Sequence, residues 1–454
     1  MSCLLFKIVV KKYLNLTDIY YYMEKIKNIK DTSIEVLGEC NIKSPLCSKK
    51  VNYLSPDERV IVYSRKEEFD YHLKTLGEIP MFEKAGPQEK IFFDPKETVC
   101  GIVTCGGLCP GLNDVIQAVS ITALKLYKVK KVLGFMYGYK GISSKSKYPP
   151  IELTEDSVKD VGDLCGTILG TSRGPQDPDD MIDTLLQYGV NILFVIGGDG
   201  TLKGGMALAN RIKERDLKIS VIGIPKTIDN DICWTSRSFG FITAVGEART
   251  AVNSAHAEAR AAYNGVGIVK LMGRESGFIA THVTLASSNV NFCLIPEVDF
   301  ELEGENGLLM QLEKRLLRKH HAVIVVAEGA GQKYFDKEKL GKDLSGNQKM
   351  GDIGLLLKEK IKEYLTKRGI DHTVKYIDPS YIIRNQLADP SDSEFCLVLG
   401  QNAVHAAMTG RTNMAVGIIN EHFVYIPIKM MIGKKKQVRE EGELWKTVIA
   451  VTGQ

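Results

Sequence analysis

The chain of 454 residues is too long for one ordinary core and predicts two domains, with 44% hydrophobic and 25% charged residues as in globular enzymes. Its 59 Lys and Arg residues against 55 Asp and Glu residues give a formal net charge of +4, which offers no electrostatic case for a nucleic-acid partner. No apolar run approaches the length of a membrane span, and neither an export signal nor a paired framework among the ten cysteines is recognisable, which predicts a cytoplasmic protein without a membrane partner.

The first 95 residues form an irregular, basic and tyrosine-rich stretch in which no chemical motif stands out. One short strand is predicted at residues 60–63. We interpret residues 1–96 as an N-terminal arm that packs on the main body or on a neighbouring subunit. Met23 offers an alternative start, which would make residues 1–22 dispensable.

Strands and helices alternate from Thr98 onward, which predicts an α/β fold. Residues 99–104 are predicted to form a buried strand, followed by a glycine-rich turn with Gly106 and Gly107 and an amphipathic helix to about Leu126. A strand, a glycine-rich turn and a helix offer backbone N–H groups to phosphate. The spacing fits neither the dinucleotide fingerprint nor a Walker loop, and tight turns need glycine in any case, which makes the signal weak on its own.

Two further loops carry side chains suited to phosphate or metal. Residues 166–175 form a glycine-framed loop with Arg173, which could bind phosphate in a bidentate manner, although a surface salt bridge is favoured for a lone arginine. The strand predicted at residues 191–196 ends in Gly197-Gly198-Asp199-Gly200-Thr201, and a helix over residues 202–215 follows. The glycines admit a phosphate chain to the backbone, and Asp199 can hold magnesium.

The strand predicted at residues 219–224 ends in the loop Pro225-Lys226-Thr227-Ile228-Asp229-Asn230-Asp231, and such strand-end loops bind ligands in parallel sheets. In an extended segment alternate residues share a face, which predicts that Thr227, Asp229 and Asp231 point the same way. A carboxylate beside a lysine in a cleft can take a proton from an alcohol. A polar turn, with Asp and Asn bonded to their own backbone, is an equal alternative on spacing alone.

The second half of the chain continues the alternation with a helix over residues 243–262 and a strand over residues 267–271 that delivers Met272-Gly273-Arg274. A strand over residues 321–327 ends at Glu328. A helix over residues 352–368 is predicted from apolar residues at a spacing of four: Ile353, Leu357, Ile361 and Leu365. Strand-end loops rich in glycine, arginine and aspartate at one sheet edge indicate a phosphoryl-transfer site.

Three motifs in chain order resemble the 6-phosphofructokinases: Gly-Gly-Asp-Gly-Thr, then Pro-Lys-Thr-Ile-Asp-Asn-Asp, then Met-Gly-Arg. The resemblance extends from about residue 95 to about residue 430. It implies two Rossmann-like α/β/α domains with mostly parallel sheets. The nucleotide-binding domain is expected at residues 97–240 with a returning segment at about 384–430, and the fructose 6-phosphate domain at residues 241–383 with a C-terminal segment at about 431–454.

By this resemblance Asp229 is the general base for the 1-hydroxyl of fructose 6-phosphate, Thr227 and Asp231 flank it, and Arg173 and Arg274 stabilise charge on the phosphoryl group in transfer. Asp199 is the expected Mg²⁺ ligand. Besides Thr227, Asp229, Asp231 and Arg274, the residues expected to hold the sugar phosphate are Met272, Gly273, Glu328, Lys375, Tyr381 and Arg384. Besides Arg173 and Asp199, those expected at ATP are Gly106, Gly107, Tyr139, Gly198, Gly200, Thr201, Lys203, Gly204 and Lys226.

The family also implies an allosteric enzyme of glycolysis that forms a homo-oligomer, either a dimer or a tetramer. Lys375 stands where the family often has an arginine that reaches in from a neighbouring subunit. No nucleic-acid or membrane partner is expected.

The identity of the phosphoryl donor rests on two markers that point in opposite directions. Pyrophosphate-using members have a lysine at the position of Lys226, whereas they tend to have aspartate at the position of Gly200. We give Gly200 more weight, because an acidic side chain there would repel an α-phosphate, and a long-chain ATP-using subgroup carries the same mixture. ATP is therefore the expected donor, and a pyrophosphate-dependent enzyme is the alternative.

Two other classes compete with a phosphofructokinase. NAD and lipid kinases also use Gly-Gly-Asp-Gly but should lack the arrangement of Thr227, Asp229 and Asp231. A regulatory subunit without activity should have lost the base or the sugar-site arginine, whereas Asp229 and Arg274 are both present.

Overall fold

The computed structural model describes residues 26–48, 51–341 and 348–454. The predictions that concern residues 1–22 and a start at Met23 lie outside these described residues. Among the residues that the structure describes, every helix is too short or too polar to cross a bilayer.

The strands, in chain order, are β1 (Glu35–Val36), β2 (Ile42–Lys43), β3 (Arg59–Ile61), β4 (Met81–Lys84), β5 (Lys90–Ile91), β6 (Val99–Thr104), β7 (Lys131–Gly134), β8 (Ile151–Leu153), β9 (Ile192–Gly197), β10 (Ser220–Pro225), β11 (Gly265–Leu271), β12 (Phe292–Leu294), β13 (His321–Ala327), β14 (Thr373–Ile377), β15 (Arg411–Thr412), β16 (Met414–Ile419) and β17 (His422–Pro427).

The α-helices are α1 (Lys66–Leu76), α2 (Leu112–Ile121), α3 (Glu155–Val158), α4 (Pro178–Gln187), α5 (Asp199–Glu214), α6 (Phe241–Ala261), α7 (Phe278–Ser287), α8 (Leu308–Lys319), α9 (Lys337–Leu340), α10 (Ile353–Lys367), α11 (Ser380–Ile383), α12 (Pro390–Met408), α13 (Ile428–Met431) and α14 (Glu443–Thr452). The helix α2 continues as a π-helical segment, Thr122–Tyr127, which accounts for its predicted end near Leu126.

Two sheets organise the described residues. The first has nine strands in the order β3-β4-β17-β16-β10-β9-β6-β7-β8, in which β16, β10, β9, β6 and β7 run parallel and the outer strands are antiparallel to their neighbours. The second has the order β12-β13-β11-β14 and is parallel throughout. The prediction of an α/β fold with mostly parallel sheets is confirmed.

The central strands are buried along their whole length because helices cover both faces of the first sheet. Ile102, Phe194 and Ile222 pack on one face, in a core to which α2, α6 and α12 contribute. Val103 and Val221 pack on the opposite face in a core with α4 and α5. Strands covered on both faces consist of continuous apolar residues, which is why the sequence predicts them without an alternating pattern.

Two strands of the N-terminal region, β3 and β4, form an edge of the first sheet, whereas β1 pairs with β15 and β2 with β5 in two small separate sheets. The predicted strand at residues 60–63 is β3, which pairs with β4, and β4 pairs with β17. Val60 and Phe82 are buried beside Trp234 and Ile426. Residues 414–427 also return to this sheet as β16 and β17. The exact division into domains remains a prediction.

Two helix predictions show how local sequence signals act. Asp352 caps α10, whose four predicted apolar residues are all buried, and Gly369 follows the helix in the left-handed conformation with φ +68°. The helix α5 begins at Asp199, three residues earlier than predicted, with Gly198 as its N-cap. Gly200 and Thr201 therefore lie inside its first turn and not before it.

Candidate active site

The glycine-rich turn after β6 lies among three cationic side chains from distant parts of the chain. Lys226, just after β10, is buried, and its Nζ donates a hydrogen bond to the carbonyl oxygen of Gly107 at 2.7 Å. A Cβ atom on Gly107 would lie 3.5 Å from Nη1 of Arg384 and 3.7 Å from Nη2 of Arg173. A Cβ atom on Gly106 would lie 3.6 Å from Nζ of Lys226. The turn and these three side chains, which we term the anion site, are suited to binding a phosphate.

Asp199 begins α5 and is held from two sides. Its Oδ1 accepts a hydrogen bond from the backbone N–H of Gly433 at 3.0 Å, and its Oδ2 pairs with Nζ of Lys203 at 2.7 Å. Burial acts to raise the pKa of Asp199, but Lys203, the N–H of Gly433 and Lys435 together hold the pKa below its usual value. Asp199 is therefore an ionised carboxylate suited to a cation.

The other predicted nucleotide residues divide into open and packed positions. A Cβ atom on Gly200 would meet no atom within 4 Å, whereas one on Gly204 would lie 2.7 Å from the ring of Tyr139. Tyr139 is buried, and its hydroxyl donates to the carbonyl oxygen of Thr201 at 2.7 Å. Tyr139 thus packs against Gly204 and is hydrogen-bonded to the first turn of α5. A direct contact of Tyr139 or Gly204 with a nucleotide stays a prediction.

The loop after β10 is bent and not extended. Asn230 has a positive φ of +53°, and the N–H of Asp229 donates to Oγ1 of Thr227 at 3.1 Å. The side-chain oxygen of Asn230 accepts from the N–H of Ser238 at 3.2 Å. The expectation that alternate residues share one face of an extended segment is therefore wrong in its geometry. The alternative polar turn forms only in part, because the local bond comes from the Thr227 hydroxyl, whereas Oδ1 of Asp229 has no partner among the described residues and Asn230 accepts from a residue eight positions away. The bend keeps Asp231 an electrostatic neighbour of Asp229.

Asp229 lies in surroundings that disfavour its charged form. Its Oδ1 is sealed from solvent and has no hydrogen-bond partner among the described residues. Burial, followed by the charges of Asp231 and Glu328, raises the pKa of Asp229 to about 8, while Lys435 and Lys226 act in the opposite direction. A buried acceptor without a donor is rare in native structures and marks a position where a ligand can supply the hydrogen.

The loops after β11 and β13 meet at the neighbouring sheet edge. Gly273, with φ +127°, lets the chain turn where a Cβ atom would lie 2.5 Å from the carbonyl oxygen of Ser276. Burial raises the pKa of Glu328, whereas the positive charges of Lys270, Arg274 and Arg384 lower it. Arg274 donates to the carbonyl oxygen of Gln348. Met272, which follows β11, packs half-buried against the core between the sheets.

The last two predicted sugar-site segments are more exposed. The guanidinium of Arg384 lies 4.6 Å from the centre of the Tyr381 ring, and Tyr381 is 77% exposed. Lys375, on β14, pairs with Glu258 on α6. Arg384 therefore lies close to Gly107 in the glycine-rich turn, whereas Lys375 is paired with a residue of α6.

The phosphofructokinase family matches residues 99–407, which is more than half of the chain. The chain belongs to this family. A protein of Borreliella burgdorferi named ATP-dependent 6-phosphofructokinase is 49% identical over 446 residues, covering 95% of this chain and 99% of the relative. A protein of Amycolatopsis methanolica with the same name is 45% identical over 439 residues, covering 94% of this chain and 95% of the relative.

Solved structures agree with the fold. A pyrophosphate-dependent phosphofructokinase from Marinobacter aquaeolei is similar with a TM-score of 0.64 at 18% identity, covering 78% of this chain and 91% of that chain. The phosphofructokinase of Pichia pastoris has a TM-score of 0.61 at 22% identity, covering 75% of this chain and 36% of that chain. At these identities the likeness concerns the fold alone. The predicted membership of the phosphofructokinase family is confirmed.

Three lysines of this family member were missed by sequence reasoning. Nζ of Lys435 lies 2.6 Å from Oδ2 of Asp231, and Nζ of Lys436 donates to Oδ1 of Asn230 at 3.0 Å. Lys270, on β11, pairs with Asp378 at 2.8 Å and is also an electrostatic neighbour of Glu328. The signals were present, because Lys270 interrupts an apolar strand and Lys435 belongs to a run of three lysines near the C-terminus.

Proposed function

We propose that this chain transfers the γ-phosphoryl group of ATP to the 1-hydroxyl of D-fructose 6-phosphate, giving fructose 1,6-bisphosphate and ADP. This is the glycolytic phosphofructokinase reaction. Two relatives that are 49% and 45% identical over nearly the whole chain are named ATP-dependent 6-phosphofructokinase, which supports both the reaction and the donor.

The observation that carries the proposal is the state of Asp229. Its buried Oδ1 has no hydrogen-bond partner in the described part of the chain, and it lies in a loop between the anion site at Gly107 and the segment around Glu328. A sugar hydroxyl in this position would satisfy the acceptor and give up its proton to it. A base with a pKa near the working pH is also the most effective one.

In this mechanism Asp229 accepts the proton of the 1-hydroxyl while O1 forms its bond to the γ-phosphorus. The bond between that phosphorus and the oxygen bridging to the β-phosphate breaks, and ADP leaves with the electron pair. Thr227 and Asp231 hold the loop of the base in place. Arg173, Lys226 and Arg274 supply positive charge around the phosphoryl group, whose transition state requires such stabilisation.

Asp199 fits the role of a Mg²⁺ ligand. Its pKa is held below the usual value, so it is ionised, and the described residues contain no group of three or more His, Cys, Asp or Glu side chains that would form a complete metal cage. Mg²⁺ in kinases is held by one or two carboxylates together with the substrate phosphates and waters. When bound, the ion would neutralise charge on the β- and γ-phosphates.

Fructose 6-phosphate would be held by the loop Met272-Gly273-Arg274 together with Glu328, Tyr381 and Arg384. The exposed ring of Tyr381 and the outward position of Lys375 favour completion of this part of the site by another subunit, so we expect a homo-oligomer, either a dimer or a tetramer. Light scattering on the purified protein would measure its mass. A cytoplasmic location also stays a prediction, and cell fractionation would test it.

The deciding experiment is a coupled assay with purified protein, fructose 6-phosphate and Mg²⁺, in which ATP and pyrophosphate are compared as donors. We expect turnover with ATP and only background with pyrophosphate. Asp229→Asn protein serves as the control for contaminating kinases, because it should fold but lack the base. Turnover with pyrophosphate and none with ATP would contradict the assignment of the donor while leaving the acceptor reaction in place.

Pyrophosphate as donor is the second candidate because Lys226 favours it. In the structure Nζ of Lys226 is bound to the glycine-rich turn that would hold the transferred phosphate, which is compatible with either donor. Gly200 supports ATP, because a Cβ atom there would meet no protein atom within 4 Å, which is compatible with an α-phosphate beside it.

A further inference from the structure

The segment of residues 433–438, which we term the C-terminal strap, runs between two halves of the site. The phosphate half comprises the glycine-rich turn at Gly107, Asp199 and the loop after β10. The sugar half comprises the loop Met272-Gly273-Arg274 with Glu328, Lys375, Tyr381 and Arg384. On one side, the N–H of Gly433 binds Asp199 at 3.0 Å, and the N–H of Lys436 donates to the carbonyl oxygen of Asp231 at 2.8 Å. Lys435 also forms an antiparallel bridge with Ile232. The strap is therefore hydrogen-bonded to both acidic loops of the phosphate half.

On its other side the strap is bound to the segment that follows Met272-Gly273-Arg274. Ser276 donates through Oγ to the carbonyl oxygen of Lys436, and Gln437 donates to the carbonyl oxygen of Glu275 at 2.9 Å. Glu297 accepts from the N–H of Val438 at 2.8 Å and from the N–H of Gly277 at 2.8 Å. One short segment thus fixes the base loop relative to the sugar loop.

Lys435 is the cationic side chain of the strap that points at the carboxylates. Its Nζ lies 2.6 Å from Oδ2 of Asp231, and both side chains are largely buried. Asp199 and Asp229 act on the same ammonium group through their charges. A largely buried lysine paired with Asp231 restrains the position of that side chain, and its charge acts to lower the pKa of Asp199 and of Asp229.

We propose that Lys435 is a positioning residue for phosphoryl transfer, whose ammonium group holds Asp231 beside the base and favours the carboxylate form of Asp229. This inference rests on the proposed function. The groups that face Asp229 electrostatically are Asp231, Glu328, Lys435, Lys226 and the buried thiol of Cys109. Of the two lysines, Lys435 is bonded to a carboxylate of the loop and Lys226 to the carbonyl oxygen of Gly107.

Lys436 has a different, structural role. Its Nζ donates to Oδ1 of Asn230 at 3.0 Å and to the carbonyl oxygens of Thr235 at 2.9 Å and Ser236 at 3.1 Å. It also lies 5.3 Å from the centre of the Phe278 ring. These contacts fasten the turn after Asp231, and the charge of Asp231 also acts on Lys436, whereas the direct ion pair with Asp231 is made by Lys435.

The test compares Lys435→Met, Lys435→Arg and the control Lys446→Met, which removes the same charge from an exposed position on α14 outside the strap. For each, kcat and KM for fructose 6-phosphate are measured with saturating MgATP across acidic, neutral and alkaline buffers. For Lys435→Met we expect the acidic limb of the kcat profile to move to higher pH by about one unit, since a nearby opposite charge shifts a carboxyl pKa by that order. At neutral pH kcat should fall about tenfold, with little change in KM.

Lys435→Arg should keep most of the activity because it retains the charge, and Lys446→Met should retain the wild-type profile. A uniform loss at every pH, or a profile that does not move, would overturn the inference and leave Lys435 as a packing residue. Should Lys435→Met fail to fold, as judged by circular dichroism, Lys435→Gln provides the same comparison with a hydrogen-bond donor that lacks charge.

A second measurement tests whether Lys435 acts through Asp231. In an Asp231→Asn background, Lys435→Met should reduce kcat less than it does in the wild type, because the part of its effect that comes from holding Asp231 is already absent and only its charge acting on Asp229 remains. An undiminished loss in that background would contradict the positioning of Asp231 by Lys435. If the wild-type protein itself lacks activity with ATP and fructose 6-phosphate, the proposed function fails first, and this inference fails with it.

Discussion

The two halves of the site differ in how far the chain itself satisfies their charged groups. In the phosphate half, Lys226 binds the carbonyl oxygen of Gly107 at 2.7 Å, and Lys435 pairs with Asp231 at 2.6 Å. In the sugar half, Tyr381 is 77% exposed and Lys375 pairs with Glu258 away from the base. We infer that the phosphate half is formed before substrates arrive, whereas the sugar half is completed by its ligand or by another subunit.

This preorganisation has an electrostatic cost. Burial lowers the pKa of Lys226, while burial and like charges raise the pKa of Asp229 to about 8. Both groups are thus held in surroundings that disfavour their charged forms, which is common where charge is needed for catalysis. Substitutions in the two halves should therefore differ in size and in kind.

The largest effect is expected for Asp229→Asn. The amide keeps the size of the side chain but cannot accept the proton, and a positioned base contributes about 10²–10⁴ in rate. We expect kcat to fall by that factor with little change in KM for either substrate, as measured in the coupled assay. Activity within about threefold of wild type would show that the base lies elsewhere.

The next effect in size is expected for Lys226→Met, which keeps the length of the side chain and removes the ammonium group. Loss of one preorganised donor near the transferred phosphate reduces kcat by about 10²-fold in comparable sites. ATP should remain the donor, because Gly200 is unchanged. A shift in KM for ATP with an unaltered kcat would indicate that Lys226 only binds the ground state.

A smaller and more selective effect is expected for Gly200→Asp. A Cβ atom there would meet no protein atom within 4 Å, so we expect a loss of function to report on the nucleotide and not on packing. The carboxylate would repel the α-phosphate in a poorly screened cleft, and KM for ATP should rise about tenfold while KM for fructose 6-phosphate stays the same.

Gly246→Asp is the matched control for Gly200→Asp. Gly246 lies exposed in α6, and a Cβ atom there also meets nothing within 4 Å. It should leave both KM values unchanged. Equal effects of the two substitutions would remove the argument for an α-phosphate next to Gly200.

The fourth prediction concerns stability: Asp229→Asn should stabilise the fold although it lowers kcat. Because the pKa of Asp229 is raised to about 8 in the folded protein, the native state keeps a proton that the unfolded chain releases at about pH 4, which is near the pKa of a free Asp side chain. Ionisation of Asp229 therefore destabilises the fold increasingly as pH rises from about 4 to about 8. Asp229→Asn should melt on the order of a few degrees higher than wild type at pH 8, and this gain should vanish near pH 4.

The sequence predicts features that depend on local patterns and misses those that depend on residues far apart in the chain. The strands β6 and β13 have the predicted bounds because buried parallel strands are continuous apolar runs, and the strand-end loops are recognisable from their motifs. The bend at Asn230 was missed, because an αL residue inside a polar loop has no periodic signal. The pairing of β4 with β17 and of Lys435 with Asp231 joins residues more than 200 positions apart, which no local pattern encodes.

The smallest effect is expected in the sugar half, at Tyr381. Its ring lies 4.6 Å from the guanidinium of Arg384, and a cation–π contact at an exposed site is worth about 0.5–1 kcal/mol. Tyr381→Leu should therefore raise KM for fructose 6-phosphate about two- to fivefold, because Arg384 loses the ring that orients it, and kcat should stay near the wild-type value. Tyr381→Phe keeps the ring and should have no such effect if the contact alone matters. If Tyr381→Phe is instead as impaired as Tyr381→Leu, the hydroxyl of Tyr381 itself binds the substrate, and the sugar half depends on that direct contact.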